Sequence, residues 1–110
     1  MSWNVVYTAR AKQDLRNIYE YIAYNLLAPD TAAAQTQRIM KEIRGLDEMP
    51  MRFRCYEHEP WHSKGLRCFP VDNYLVFYLP DTATDTVYIV SVLYGGRDIR
   101  RQLRDLTMEL

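Results

Sequence analysis

Residues 65–79, GLRCFPVDNYLVFYL, decide the fold of this chain. Two β-prone runs, 65–71 and 74–79, are separated only by Asp72-Asn73, the spacing of a two-residue hairpin. Such a turn sets Val71 opposite Tyr74, hence Phe69 opposite Val76 and Arg67 opposite Tyr78. One hairpin face then carries Arg67, Phe69, Val71, Tyr74, Val76 and Tyr78, and the other Leu66, Cys68, Leu75, Phe77 and Leu79. The second face is the more aliphatic and is expected to pack on the helices. The phenolic face with Arg67 is left for a partner or for the C-terminal segment.

Downstream lies TVYIVSVLYGGRDIRRQL, residues 86–103. A strand over 86–94 runs into Gly95-Gly96, and Tyr88, Val90, Val92 and Tyr94 are expected to extend the phenolic face. Arg97, Arg100, Arg101 and Arg104 follow, with Asp98 among them. Clustered guanidinium groups after a rigid strand end suit an anionic or carboxylate-bearing partner. A solvated helix end shows the same spacing. Arg97 stands out because it directly follows the two glycines.

Upstream, 3–8 reads as a strand, and 9–27 as a helix with Leu15, Ile18, Tyr19, Ile22 and Leu26 on one stripe. Ala28-Pro29-Asp30 breaks it, with Asp30 the expected cap of a second helix reaching about residue 48. The inner face of that helix is Ala32, Thr36, Ile39, Ile43 and Leu46, and the short connection makes an antiparallel helix hairpin. Residues 49–64 are irregular and polar, with Arg52, Arg54, His58, His62 and Lys64. The order β-α-α-β-β-β, with a short C-terminal extension, defines an α+β class. Two apolar sheet faces and only two helices imply an exposed groove.

Composition narrows the function. A chain of 110 residues is expected to form one domain, 1–110, and 48% apolar residues suffice for a real core. Fourteen basic and fourteen acidic residues leave zero net charge, which argues against a general nucleic-acid binder. Two cysteines, Cys55 and Cys68, are too few for a disulfide scaffold and fit a reducing cytoplasm. No signal-peptide pattern or bilayer-length apolar run is present, so a cytoplasmic location without membrane contact is expected. Cys55, His58, His62 and Cys68 crowd into one segment, unlike the separated ligand pairs of structural zinc sites, and no metal or other cofactor is expected. No Ser-His-Asp spacing, phosphate-cradling loop or dinucleotide motif occurs.

Three stretches, YTARAKQDLRNIYEYI (7–22), GLRCFPVDNYLVFY (65–78) and VYIVSVLYGGRDIRRQL (87–103), resemble the RelE/ParE superfamily of bacterial type II toxins. The resemblance spans nearly the whole chain and implies a plasmid-stabilisation type of toxin neutralised by a cognate antitoxin. It leaves open a homodimer or a hetero-oligomer with that antitoxin. RelE-like members cut messenger RNA on the ribosome, whereas ParE-like members inhibit DNA gyrase without an established hydrolytic site. An endoribonuclease needs groups that activate a 2′-hydroxyl, neutralise a phosphate and protonate the leaving oxygen. The resemblance offers Arg52, Arg54, Arg67, Tyr94 and Arg97 for those roles. The second hairpin strand opens on Tyr74, where the RNase branch has arginine, and no Tyr or His follows Arg97. The VLYGGRD run (92–98) resembles the ParE-type ending, which makes gyrase the first expectation. Contact residues are then expected at Arg67, Tyr74, Tyr78, Tyr94, Arg97, Arg100 and Arg101. The alternatives are the ribosome-dependent RNase and an inactive toxin fold kept as a binding module.

Overall fold

The hairpin forms in the register its spacing dictates. β2 (Arg67–Val71) and β3 (Tyr74–Asp81) pair antiparallel, with Val71 opposite Tyr74 and Arg67 opposite Tyr78. Asp72 takes a left-handed φ of 54° in the turn, a conformation that aspartate tolerates better than most residues. The computed structural model describes residues 2–96 and 98–104. Within them the chain runs β1 (Asn4–Tyr7), α1 (Ala9–Glu20), a π-helical segment (Tyr21–Asn25) and α2 (Pro29–Arg44). A 3-10 turn (Gly45–Asp47), β2, β3, β4 (Thr86–Tyr94) and α3 (Ile99–Leu103) follow. The sheet order is β1-β4-β3-β2, with β1 parallel to β4 and the other pairs antiparallel.

The helix ends depart from the periodic expectation for local reasons. Thr8 caps α1: its Oγ1 accepts from the Ala11 amide (3.2 Å) and donates to the Ile89 carbonyl (2.8 Å), tying helix to strand. The first helix widens at its end, where the Leu26 amide donates to the Tyr21 carbonyl five residues back (3.1 Å). α2 starts at Pro29, not after Asp30. Proline's fixed φ suits the first helical position, so Ala28 is the cap and Asp30 falls in the first turn. There its carboxylate still faces the positive end of the helix.

The two sheet faces are allotted opposite to expectation. Ala11, Ile39, Ile43 and Leu46 of the helices pack on Phe69, Val71, Val76 and Tyr78, the face expected to stay open. The aliphatic face, with Leu66, Phe77, Val90 and Leu93, is covered by Trp61 and Tyr56 of the loop and by Ile99 and Leu103 of α3. Among the described residues the phenolic face is therefore covered by the helices except at its turn end, where Tyr94 is exposed.

A β-bulge explains the rest of the discrepancy. Phe77 pairs with Ser91 but Tyr78 pairs with Ile89, so Val90 is the extra residue. The inserted residue reverses the alternation of β4. Val87 and Ile89 join the helix-covered core, while Val90 turns to the second core and Tyr88 pairs with Leu79 of that face. Of the four residues expected on the phenolic face, only Val92 and Tyr94 stay with Val76 and Tyr74.

Candidate partner-binding surface

Burial sorts the expected contact residues. Tyr78 is 0% exposed, and its hydroxyl donates to the Pro50 carbonyl at 2.7 Å, so it is withdrawn as a contact residue. Burial pushes its phenol up to about 12. Phe53 stacks on Phe69 (4.4 Å between centroids) and meets the Tyr78 ring edge-on. A bulky aromatic at a helix-facing position packs more readily than it stays open, which is why the phenolic reading failed here.

Arg67 and Arg52 have structural work. The Arg67 guanidinium donates to the carbonyls of Met51 (3.2 Å) and Phe53 (2.5 Å), clamping the loop to the start of β2. Arg52 donates to the carbonyls of Gly45 (3.0 Å) and Glu48 (2.7 Å), satisfying groups left open where the helical turn ends. Its guanidinium also lies 4.8 Å from the centroid of the Phe53 ring. Arg54 is exposed, and its carbonyl accepts the Cys68 amide across the outer edge of β2. Pro70 has no amide to offer on that strand.

Tyr74 and Tyr94 meet at the turn end of the sheet, their rings edge-on at 5.8 Å. Burial first, and then the neighbouring phenols of Tyr94 and Tyr21, push Tyr74 above the ordinary tyrosine range. Tyr21 and Tyr94 are about half exposed (52% and 46%), so this cluster reaches the surface. Gly96 makes it possible. A Cβ there would lie 2.6 Å from the Tyr94 ring. Tyr24 and Leu27, 66% and 82% exposed, add apolar surface near the end of the first helix.

Arg100 and Arg101 are exposed on α3, whereas Arg97 lies outside the described residues. The two arginines border an open groove of about 540 Å³ shared with Glu59, Trp61, Asp98 and Arg104. Asp98 caps α3 by accepting the Arg101 amide (3.3 Å), and Leu103 is fully buried beneath the helix. Arg10 reaches from α1 to the Gln102 carbonyl (3.0 Å), which ties α3 to the first helix.

Sequence reasoning missed the group that closes the free edge of β4. β1 pairs only with residues 86–89 of β4, and beyond that point Asp14 of α1 takes over. Its carboxylate accepts the Ser91 hydroxyl (2.5 Å) and the Val92 amide (3.0 Å). Burial raises the Asp14 carboxyl, against the pull of Ser91, Val92 and then Arg10, which lies 3.9 Å away. An aspartate in mid-helix carries no sequence signal for this role. Phe53, Tyr56 and Trp61 did carry one, as three large aromatics in the segment 49–64 that reads as polar.

A helix hairpin against one face of a mostly antiparallel sheet, with a basic C-terminal extension, defines an α+β toxin fold of the RelE/ParE type. The chain belongs to the family described as "ParE toxin of type II toxin-antitoxin system, parDE", which matches residues 5–99. No curated protein sequence matches significantly. Among solved structures, the chromosomal ParDE system from P. aeruginosa is similar at 18% identity and TM-score 0.69, covering 84% of this chain and 96% of that one. The toxin–antitoxin complex RelBE2 from Mycobacterium tuberculosis gives 21% identity and TM-score 0.62, with 86% and 92% covered. A mutant of the E. coli toxin RelE in the free state gives 12% identity and TM-score 0.66, with 99% and 97% covered. These likenesses establish the fold. Among the described residues no helix is long and apolar enough to cross a membrane, and no group of three metal-ligating side chains is assembled.

Proposed function

We propose that this toxin is neutralised by a cognate antitoxin and arrests growth by inhibiting DNA gyrase, in the cytoplasm. The observation that carries the reading is the engagement of the would-be catalytic cations. Arg52 and Arg67 direct their guanidinium groups at backbone carbonyls of their own chain. Tyr94, the remaining described candidate acid/base besides Arg54, pairs with Tyr74, while Arg67 pairs with Tyr78. Those positions lie four steps apart along β3, roughly 13 Å at about 3.3 Å per residue. Acid/base groups must come within hydrogen-bond reach of one reacting phosphate, and this spacing does not suit that. The family match and the neighbouring complexes ParDE and RelBE2 support the antitoxin as partner.

Induction of the chain without an antitoxin is the test. Growth arrest with a DNA-damage response and gyrase-trapped strand breaks is expected. Arrest with codon-phased cleavage of messages on the ribosome would establish the RNase reading instead, and absence of arrest would leave a binding module. Arg97→Ala should weaken toxicity far more than Arg104→Ala, because Arg97 directly follows the glycine pair that ends β4.

A further inference from the structure

We infer that the outer edge of β1 is an interface between two copies of this chain, joined as antiparallel strands about a two-fold axis at Val6. The inference depends on neither the antitoxin nor the gyrase reading. β1 lies at the margin of the sheet, with β4 on one side of it only. The Asn4 and Thr8 amides donate to the carbonyls of Asp85 (2.9 Å) and Ile89 (3.1 Å), so the even-numbered residues of the strand bond to β4. Alternation turns the amides and carbonyls of Val5 and Tyr7 outward. The Trp3 amide, next on that outer side, is taken by the Asp47 carbonyl (2.8 Å), whereas Val5 and Tyr7 have no backbone partner among the described residues. Two donors and two acceptors in a row on an open edge form a template for another strand. Nothing in Asn4–Tyr7 protects that edge: it carries no proline, no charged side chain and no bulge.

A second copy is the occupant because the edge complements itself. A two-fold axis at Val6 sets Val5 opposite Tyr7 of the other copy, and Tyr7 opposite its Val5. Each of those pairs exchanges an amide and a carbonyl in both directions, so every outward backbone group of Val5 and Tyr7 is satisfied. Val6 then faces its own twin in a non-hydrogen-bonded pair, with about 4.5 Å between Cα atoms and the side chains in contact. Its side chain is available for that, since Val6 is 43% exposed. Charge follows the same symmetry. Asp47 and Asp85 stand beside the start of the strand, where their carbonyls hold Trp3 and Asn4. Arg44 stands near its end: burial raises the Tyr7 phenol, and the Arg44 guanidinium pulls against that rise. Antiparallel pairing brings the acidic end of each copy toward the basic end of the other, which favours a copy over an arbitrary extended peptide.

The test uses the full chain, made by cell-free synthesis without an antitoxin and followed by sedimentation velocity over a concentration series. A reversible monomer–dimer equilibrium is expected, with a dissociation constant on the order of 10 μM for a contact this small. Val6→Lys and Val6→Glu each place like charges on the axis and should weaken association at least about tenfold. An equimolar mixture of the two should recover it, because residue 6 of one copy meets residue 6 of the other. Circular dichroism checks that both variants fold, as substitution at an exposed position allows. In a background of Cys55→Ser and Cys68→Ser, Val6→Cys should form an intermolecular disulfide on oxidation, its Cα spacing being within reach. Asn4→Cys should not, because its twin lies four steps away along the paired strand, roughly 13 Å. Monomer at every concentration would overturn the inference, and so would an edge that accepts only the extended segment of another protein. A dimer that neither charged variant weakens, a mixture that fails to recover, or equal cross-linking at positions 4 and 6 would each do the same.

Discussion

Tyr78 gives the fold a pH dependence that one atom can remove. Its phenol is buried with an ionisation pushed up to about 12, so folding favours the protonated form. That contribution is complete below the ordinary tyrosine value of 10.0 and is lost as pH rises through 12. Tyr78→Phe should cost about 1 kcal/mol at pH 7.5, where the hydrogen bond to Pro50 is intact. Urea midpoints of the two proteins should then converge between pH 10 and 12, and a gap that stays constant would remove the explanation. Asp14 behaves in the same sense at the acid end. Its raised carboxyl means that this residue contributes most below about 3.8 and loses that contribution as pH rises through the folded value. Asp14→Ala leaves the Ser91 hydroxyl and Val92 amide without their acceptor and should cost about 2 kcal/mol. Asp14→Asn keeps an acceptor oxygen and drops the partly buried charge, so it should stay within about 1 kcal/mol of the wild type and flatten the acid-side dependence.

Elements were legible wherever one local rule dominated. Asp72-Asn73 set the hairpin register, and β4 begins and ends where its apolar run does, at Thr86 and Tyr94. The allotment of sheet faces was not legible, because both are apolar and alternation cannot say which one the helices take. The bulge at Val90 compounded the problem, since a single inserted residue reverses every side chain beyond it and has no sequence mark here. Of the candidate surface, Tyr94, Arg100 and Arg101 were visible from the sequence as exposed groups, whereas Tyr78 was hidden by its own size. The C-terminal element also had an unread signal: Ile99 and Leu103, four apart, lie on one side of α3 and join the second core. Leu103→Ala should therefore cost about 3 kcal/mol by urea denaturation and speed proteolysis of the C-terminal segment. A loss below about 1 kcal/mol would mean that α3 rests on the sheet without holding it.

At the scale of the molecule, the sheet is a shared wall between two cores. Helix side chains fill one side and the loop with α3 fills the other, and β3 and β4 supply residues to both. Val76 and Tyr78 face the helices, whereas Phe77 between them faces Trp61 and Leu103. Neither core can be dissolved without moving the strands that form the other, which is the structural condition for all-or-none unfolding in a chain of this size. Nature has placed a tryptophan against each core, Trp3 beside the first and Trp61 within the second. Trp3→Phe and Trp61→Phe variants thus report the two sides separately. Once each is referred to its own circular-dichroism midpoint, the fluorescence transition in urea should coincide with the loss of secondary structure in both. An earlier transition at Trp61 would mean that the loop and α3 release first, exposing Leu66, Phe77 and Leu93 while the helix-covered core survives. That order of events would make the second face a surface that opens on its own, and coincidence of the transitions would make it part of the fold.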